Sequence, residues 1–464
     1  MDMRARDTTA PRLNIGTNDD YCDNITERFL MSNLTLLGGV KSVALEQGDM
    51  FKWPIVNQAM EDGVLQVLLD GNMSGTDITK RFEQAYAEWN GVKYALAHSS
   101  GTAALQCAMY GVGIGQGDEI ICPSITYWAS CVQALTLGAS VVFADIDPVT
   151  LCIDPNEIER RITPRTKAIM VVHYLSYPAD MDRIMPLARK HKLKVIEDVS
   201  HSHGALYKGR MVGTFGDAAG YSMMSGKSFA IGEGGMLTTD SREVYERAIV
   251  FAHYERHDEI TDEKLKTGSG VPWGGYKYRM HQMSSVVGLE QVKKYPSEIA
   301  EIDKAMNYFW DLLEDVPGLD AHRPAKASGS TKGGWYASHG IYKKDELGGL
   351  SLKRFCEAVR AEGVQFCTPG CNAALHTHPL FSAVDVYGSG TPSNRAGYSG
   401  ELPVSESIQA RVFNIPWFKY YRPEIIAEYA AAYRKVAENH QDLLPGDTLP
   451  DDLKGKWALT ARKG

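Results

Sequence analysis

A chain of 464 residues with a net charge of −8 and an apolar fraction of 44% is long enough for two domains and a large core. Its acidic balance, with no dense Lys/Arg run, argues against a nucleic-acid partner. The eight cysteines, at 22, 107, 122, 131, 152, 356, 367 and 371, contain no CxxC pair and predict free thiols in a reducing cytoplasm, with no disulfide framework. The first sixteen residues, MDMRARDTTAPRLNIG, have no apolar core of the signal-peptide kind. One uncharged stretch, 120–144, is long enough to span a bilayer, but Pro123, Gln133 and Gly138 interrupt it. It reads as strand, loop and buried helix, and no membrane association is expected.

Residues 1–50 form an N-terminal extension whose first twenty read as disordered or draped on a partner. A large domain is expected over 51–296, a smaller one over 297–440 and a tail over 441–464. Trp53-Pro54 opens the compact pattern, 71–75 is a turn, and 78–89 has Phe82, Ala85, Tyr86 and Trp89 at helical spacing. A strand over 94–97 leads through Ser99-Ser100-Gly101-Thr102 into a helix over 103–110. Such a turn offers free N–H groups and the positive end of the helix dipole to a phosphate, with Gly101 and Thr102 as candidates. A plain N-cap is the alternative. Ile120-Ile121 is a strand running into Pro123-Ser124-Ile125-Thr126-Tyr127-Trp128. Further strands are expected over 141–144 and 168–172, with helices over 156–161 and 182–191.

The centre of the chain is 195–240, VIEDVSHSHGALYKGRMVGTFGDAAGYSMMSGKSFAIGEGGMLTTD. One apolar run ends in Glu197-Asp198, a second in Ser225-Gly226-Lys227, and Gly232-Glu233-Gly234-Gly235 precedes a third. Apolar runs ending in polar residues and glycines read as buried strands that deliver side chains to one sheet edge. A lysine and a carboxylate at such an edge suit pyridoxal phosphate: Lys227 would bond the aldehyde and Asp198 would hold the ring nitrogen protonated. Strands near 95, 121, 142, 170, 195, 221 and 237 alternate with helical patterns, predicting a mostly parallel seven-stranded sheet in an α/β fold.

Together with Arg81-Phe82-Glu83, Pro123–Tyr127, His201, Gly204-Ala205, Gly213, Gly216-Asp217 and Ser222, this set resembles the DegT/DnrJ/EryC1/StrS pyridoxal-phosphate aminotransferases, over roughly residues 50–440. The resemblance implies the type I PLP-dependent transferase fold, with a smaller C-terminal α+β domain. It implies catalysis by Lys227, and cofactor contacts from Gly101, Thr102, Tyr127 (stacked on the ring), Asp198, His201 (near the phenolic oxygen) and Ser222. Glu197, on the opposite strand face, is expected to be structural, as are His173 and His203. Ser225 and Ser228 are second choices for the phosphate.

Gly275-Tyr276-Lys277-Tyr278-Arg279-Met280 matches a family segment whose third residue, often Asn, reaches the cofactor phosphate of the neighbouring subunit. Here it is Lys277, which serves a phosphate as a point charge, and a homodimer with shared active sites is implied. Of the loop 367–378, His376 matches the family's substrate side. The cluster His253-Tyr254-Glu255-Arg256-His257 suits an acidic or hydroxylated ligand, with a solvated loop as the alternative, and no metal site is expected. Helices are expected over 284–295, 297–313, 352–362 and 423–438.

The implied activity is transfer of an amino group from glutamate or glutamine to a nucleotide-linked keto sugar, by a ping-pong course. The alternative acceptor is a keto-cyclitol such as an inosose. A PLP-binding regulatory protein without turnover is the reading from another class. A nicotinamide enzyme is excluded because the glycine run at 232–235 precedes a strand instead of opening a helix.

Overall fold

The computed structural model describes residues 32–268, 270–396, 400–448, 453 and 455. The expectation for the first twenty residues, and most of the tail, lie outside them. After α1 (Gln58–Leu69) and α2 (Asp77–Asn90) come β1 (Tyr94–His98), α3 (Gly101–Gly111), β2 (Glu119–Pro123), β3 (Ser140–Ala144), α4 (Pro155–Arg161), β4 (Thr166–Val172), α5 (Met181–His191) and β5 (Lys194–Asp198). A short hairpin, β6 (Leu206–Tyr207) and β7 (Arg210–Met211), precedes β8 (Ala218–Ser222), β9 (Gly235–Thr239) and α6 (Arg242–Ala252).

All seven expected strands join one sheet in the order β1-β9-β8-β5-β4-β2-β3. Only β9 runs against its neighbours; the β2–β3, β2–β4, β4–β5 and β5–β8 pairs are parallel. Helices cover a sheet of this kind on both faces, so its strands are apolar throughout; β2 and residues 168–172 of β4 are buried at every position. Parallel strands end on the same side, so Pro123, Val172, Asp198 and Ser222 share one edge, where ligands of α/β sheets bind. Capping side chains start the helices in place: Ser100 accepts from Ala103 N before α3, and Asp180 from Arg183 N before α5.

α7 (Gln282–Asp311) is one helix running through Pro296, where two separate helices are expected from sequence. An interior proline costs a hydrogen bond and a clash worth about 3 kcal/mol. Burial on both sides of it outweighs that here. Tyr295 is in the main core, while Ile302, Ala305, Met306, Phe309 and Trp310 belong to a second hydrophobic cluster.

That cluster is built with β10 (Leu319–Ala321), β11 (His339–Tyr342), α8 (Leu352–Ala361), β12 (Val412–Asn414) and α9 (Pro423–Glu438), the three strands forming an antiparallel sheet. Leu34 and Met50 from the N-terminal side and Leu443 from beyond α9 complete it. Glu362 ties the N-terminal stretch down, accepting from Thr35 N (2.8 Å), Ser42 N (3.1 Å) and Lys435 Nζ (2.8 Å). No helix among the described residues is long and apolar enough to cross a membrane.

Within the segment 253–257, His253 and Arg256 are buried while Tyr254 is exposed. Arg256 donates to both oxygens of Glu83 (2.7 Å each) and to Glu259 (2.9 Å), so this one guanidinium holds α2 to the turn after α6.

Lys332 is 1% exposed; its Nζ donates to His322 O (2.7 Å) and sits 3.2 Å from His322 Nδ1. Burial pushes its pKa down from 10.5 to about 7. The unfolded chain therefore binds a proton here that the folded protein releases between those values. Stability should rise with pH across that window, by at most about 1.4 kcal/mol per unit from this group, and lose the contribution as pH falls toward 7. Lys332→Met should flatten this slope in urea melts at pH 7.5 and 9.5; parallel slopes in both proteins would refute the assignment.

Candidate active site

Glu197 and Asp198 are neighbours on β5 with opposite surroundings. Glu197 is fully buried, and its oxygens accept from His173 Nε2 (2.9 Å) and from the amides of Gly213 (2.7 Å), Phe215 (2.8 Å) and Gly216 (2.7 Å). Burial alone would raise its pKa; the His173 bond and the amides of Gly216 and Gly213 outweigh it and hold the carboxyl below the usual range. His173 Nδ1 accepts from Ala179 N (3.0 Å), so Nε2 carries the proton given to Glu197. Both residues are thus spent on holding the loop at 213–216.

Asp198, 5% exposed, faces the other way. Its Oδ2 accepts from Ser130 Oγ (2.7 Å) and its Oδ1 from Ser200 N (3.0 Å). Ser130 in turn pairs with Thr126 Oγ1 (2.7 Å), so the segment after β2 that carries Tyr127 is bonded directly to the carboxylate. The hydroxyl of Ser200 accepts from Ser222 N (3.0 Å), linking Asp198 to the end of β8.

Ser222 lies under the start of α3. A Cβ on Gly101 would stand 2.6 Å from Ser222 Cβ, and one on Gly235 would stand 2.3 Å from Ser100 O. Only glycines allow this approach. Ala104 N makes the first intrahelical bond, to Ser100 O (3.1 Å), so the N–H groups of Gly101 and Thr102 precede the helix ladder, as donors at a helix start do. His203 Nε2 donates to Ser222 O (2.8 Å), its Nδ1 lies 3.2 Å from Tyr86 Oη, and its ring stacks on Phe229 at 5.6 Å. Burial pushes its pKa down to about 3; the side chain is a neutral strut beneath Ser222. Ser228, a second choice for the phosphate, is fully buried with its Oγ bonded to Tyr295 Oη (2.9 Å).

Lys227 sits five residues beyond β8 in a turn closed by its N–H on Met224 O (2.8 Å). It is 8% exposed, and no carboxylate pairs with it among the described residues. Its Nζ stands 4.2 Å from the centroid of the Tyr336 ring, and its carbonyl accepts from Trp53 Nε1 (2.9 Å). His201 is another neighbour of that tyrosine, ring to ring at 4.8 Å. Its Nδ1 accepts from Leu175 N (3.3 Å), leaving Nε2 to carry the proton. Burial first, then the Lys227 ammonium, holds His201 well below the usual imidazole range, and it is neutral.

Asp198, His201, Ser222, Gly101, Thr102 and Lys227 therefore gather at one edge of the sheet, and Tyr127 is tied to it through Ser130. Lys277 is not gathered with them: it is exposed, with Nζ 5.9 Å from the Tyr254 ring centroid. His376 is buried, 2.6 Å from Ser124 Oγ and 3.0 Å from Glu406 Oε1. Ser130, Ser200, Trp53 and Tyr336 are close to the site but are not singled out by sequence. Only the four-residue spacing of Thr126 and Ser130 on one turn points to any of them. No His/Cys/Asp/Glu group among the described residues is arranged to hold a metal.

The residues present fit pyridoxal phosphate. A buried anion is oriented by two hydrogen bonds, an amine is left without an acid, and a helix start opens over a serine. The fold is that of a type I PLP-dependent transferase. The chain belongs to the DegT/DnrJ/EryC1/StrS aminotransferase family, whose model matches residues 55–432, and it is a PLP-dependent aminotransferase.

Among relatives, the chain is 35% identical over 272 residues to the spore coat polysaccharide biosynthesis protein SpsC of Bacillus subtilis (58% of this chain, 70% of that one). It is 29% identical over 436 residues to the L-glutamine:scyllo-inosose aminotransferase of Streptomyces griseus (89% and 99%). The solved aminotransferase of Psychrobacter cryohalolentis superposes with a TM-score of 0.72 at 30% identity, covering 84% of this chain and 99% of that one.

Proposed function

We propose that the enzyme moves an amino group from glutamate or glutamine to a keto sugar, with the site residues acting as follows. Bound pyridoxal phosphate supplies an aldehyde that exchanges amino groups and a ring that accepts electrons. Lys227 Nζ would hold the resting cofactor and, once freed by the donor, would carry the proton from the donor's α-carbon to the cofactor's C4′ carbon, and in the opposite direction for the acceptor. Asp198, oriented by Ser130 and Ser200, keeps the ring nitrogen charged. Gly101 and Thr102 N–H groups with the Ser222 hydroxyl take the phosphate, Tyr127 covers the ring face, and His201 offers its Nε2 proton to the phenolic oxygen.

The observation that carries this reading is the unpaired, buried amine of Lys227 at the edge that also presents Asp198. A nucleotide-linked sugar is the leading acceptor. A keto-cyclitol is the second reading, favoured by the near full-length likeness to an inosose aminotransferase. The deciding experiment converts the holoenzyme to its aminated form with glutamine or glutamate and screens both acceptor classes for return of the original spectrum. A regulatory protein without turnover would fail the first step.

The exposed Lys277 serves the phosphate of a second copy in this proposal, so the enzyme works as a homodimer with shared sites. Lys277→Ala should weaken cofactor binding by about 10- to 100-fold, the worth of a charge-assisted contact. Hybrids of Lys227→Ala and Lys277→Ala chains should regain activity, because each hybrid dimer keeps one intact site. At limiting cofactor, hybrids no more active than the Lys277→Ala parent would count against it. We also place the enzyme in the cytoplasm, supported by the seven described cysteines, all free.

A further inference from the structure

Three aromatic side chains from distant parts of the chain close a circuit on Lys227. Trp53 Nε1 holds the Lys227 carbonyl (2.9 Å), and the Trp53 ring lies 5.2 Å from that of Trp417 at 49°. Trp417 meets Tyr336 edge-on at 6.1 Å and 87°, and Tyr336 returns to Lys227 Nζ at 4.2 Å. All three residues are half-buried.

The circuit is braced from outside. Lys419, 4% exposed, donates to Trp417 O (3.1 Å) and sets its Nζ 3.1 Å from the Trp417 centroid and 5.4 Å from that of Trp53. Tyr336 is clamped through its carbonyl by Ser176 Oγ (3.1 Å). Trp335 and Ala337 on either side of it hold φ of +54° and +52°, a conformation that non-glycine residues keep only where the surroundings enforce it. A rigid, partly open aromatic wall beside a reacting amine is more than packing requires.

A six-membered polyhydroxylated ring has an apolar C–H face and a hydroxyl rim. Aromatic faces bury the first while leaving the second to polar groups. We propose that Trp417 and Tyr336, steadied by Trp53 and Lys419, form the subsite for the ring of the amino acceptor, a keto-cyclitol or a keto-hexose, and so determine which acceptors are used. The proposal rests on the aminotransferase reading. The donor amino acid has no such ring, so the two half-reactions separate the roles.

The test uses holoenzyme and its Trp417→Leu, Trp417→Phe and Tyr336→Leu variants, with glutamine for the first half-reaction. The probes for the second are scyllo-inosose and a nucleoside-diphosphate 4-keto-6-deoxyhexose. The leucine variants should lose kcat/KM for the acceptor half-reaction on the order of 10- to 100-fold, at least tenfold more than for the donor half-reaction. The phenylalanine variant should recover most of it, and melting temperatures should show all three folded. Equal losses in both half-reactions, or none in either, would overturn the subsite. So would a wild type that is aminated by glutamine but returned by neither probe. Absence of the amination step with both glutamine and glutamate would sink the parent reading and not this one.

Discussion

Lys227→Ala is expected to remove the covalent attachment of the cofactor, seen as loss of its protein-bound absorbance and of the corresponding mass adduct, together with all measurable transfer. The missing proton transfer alone should cost 10²- to 10⁴-fold. The fold should survive, because the turn at 227 is held by main-chain groups. Its N–H bonds Met224 O, and its carbonyl is taken by Trp53, neither of which involves the side chain. Truncation removes one buried amine that has no acid partner among the described residues, so the melting temperature should hold steady or rise. A variant that retains the adduct, or transfers at the wild-type rate, would end the assignment.

The second large effect separates two adjacent acids. Glu197→Ala would strand the His173 Nε2 proton and the amides of Gly213, Phe215 and Gly216 inside the protein. Each orphaned buried donor is worth about 1–3 kcal/mol, and breaking one buried network of this kind about 3–5 kcal/mol in all. A clear drop in thermal and urea midpoints is expected. Asp198→Ala leaves only Ser130 and the Ser200 amide to find other partners. It should fold normally and lose transfer by on the order of 10²-fold or more. Swapped outcomes, with the 197 variant stable and the 198 variant active, would mean that the faces of β5 have been misassigned.

The opposed faces of Glu197 and Asp198 were readable from the two-residue period of a strand, and the seven strands from their uninterrupted apolar runs. Burial on both sides leaves such strands nothing to alternate with. What sequence alone missed depended on contacts between distant segments. Pro296 looks like a helix end because local sterics oppose it, but packing in two separate cores keeps α7 continuous through it. The charged run at 253–257 looks solvated because its partner, Glu83, lies far away in the chain. Tyr336 and Trp53 carry no motif; they matter through what they touch at position 227. Lys277 stands out only through the family resemblance, as a position with an altered residue, and its side chain is exposed.

The continuity of α7 has a mechanical meaning as well. A rod anchored by Tyr295 in one mass of apolar side chains and by Phe309 and Trp310 in the other resists bending between them. Neither mass can melt without fraying the rod they share. Calorimetry should therefore record a single heat-absorption peak for the described body of the protein, and any opening that admits the acceptor is expected in the loops around the site, with the rod itself staying whole.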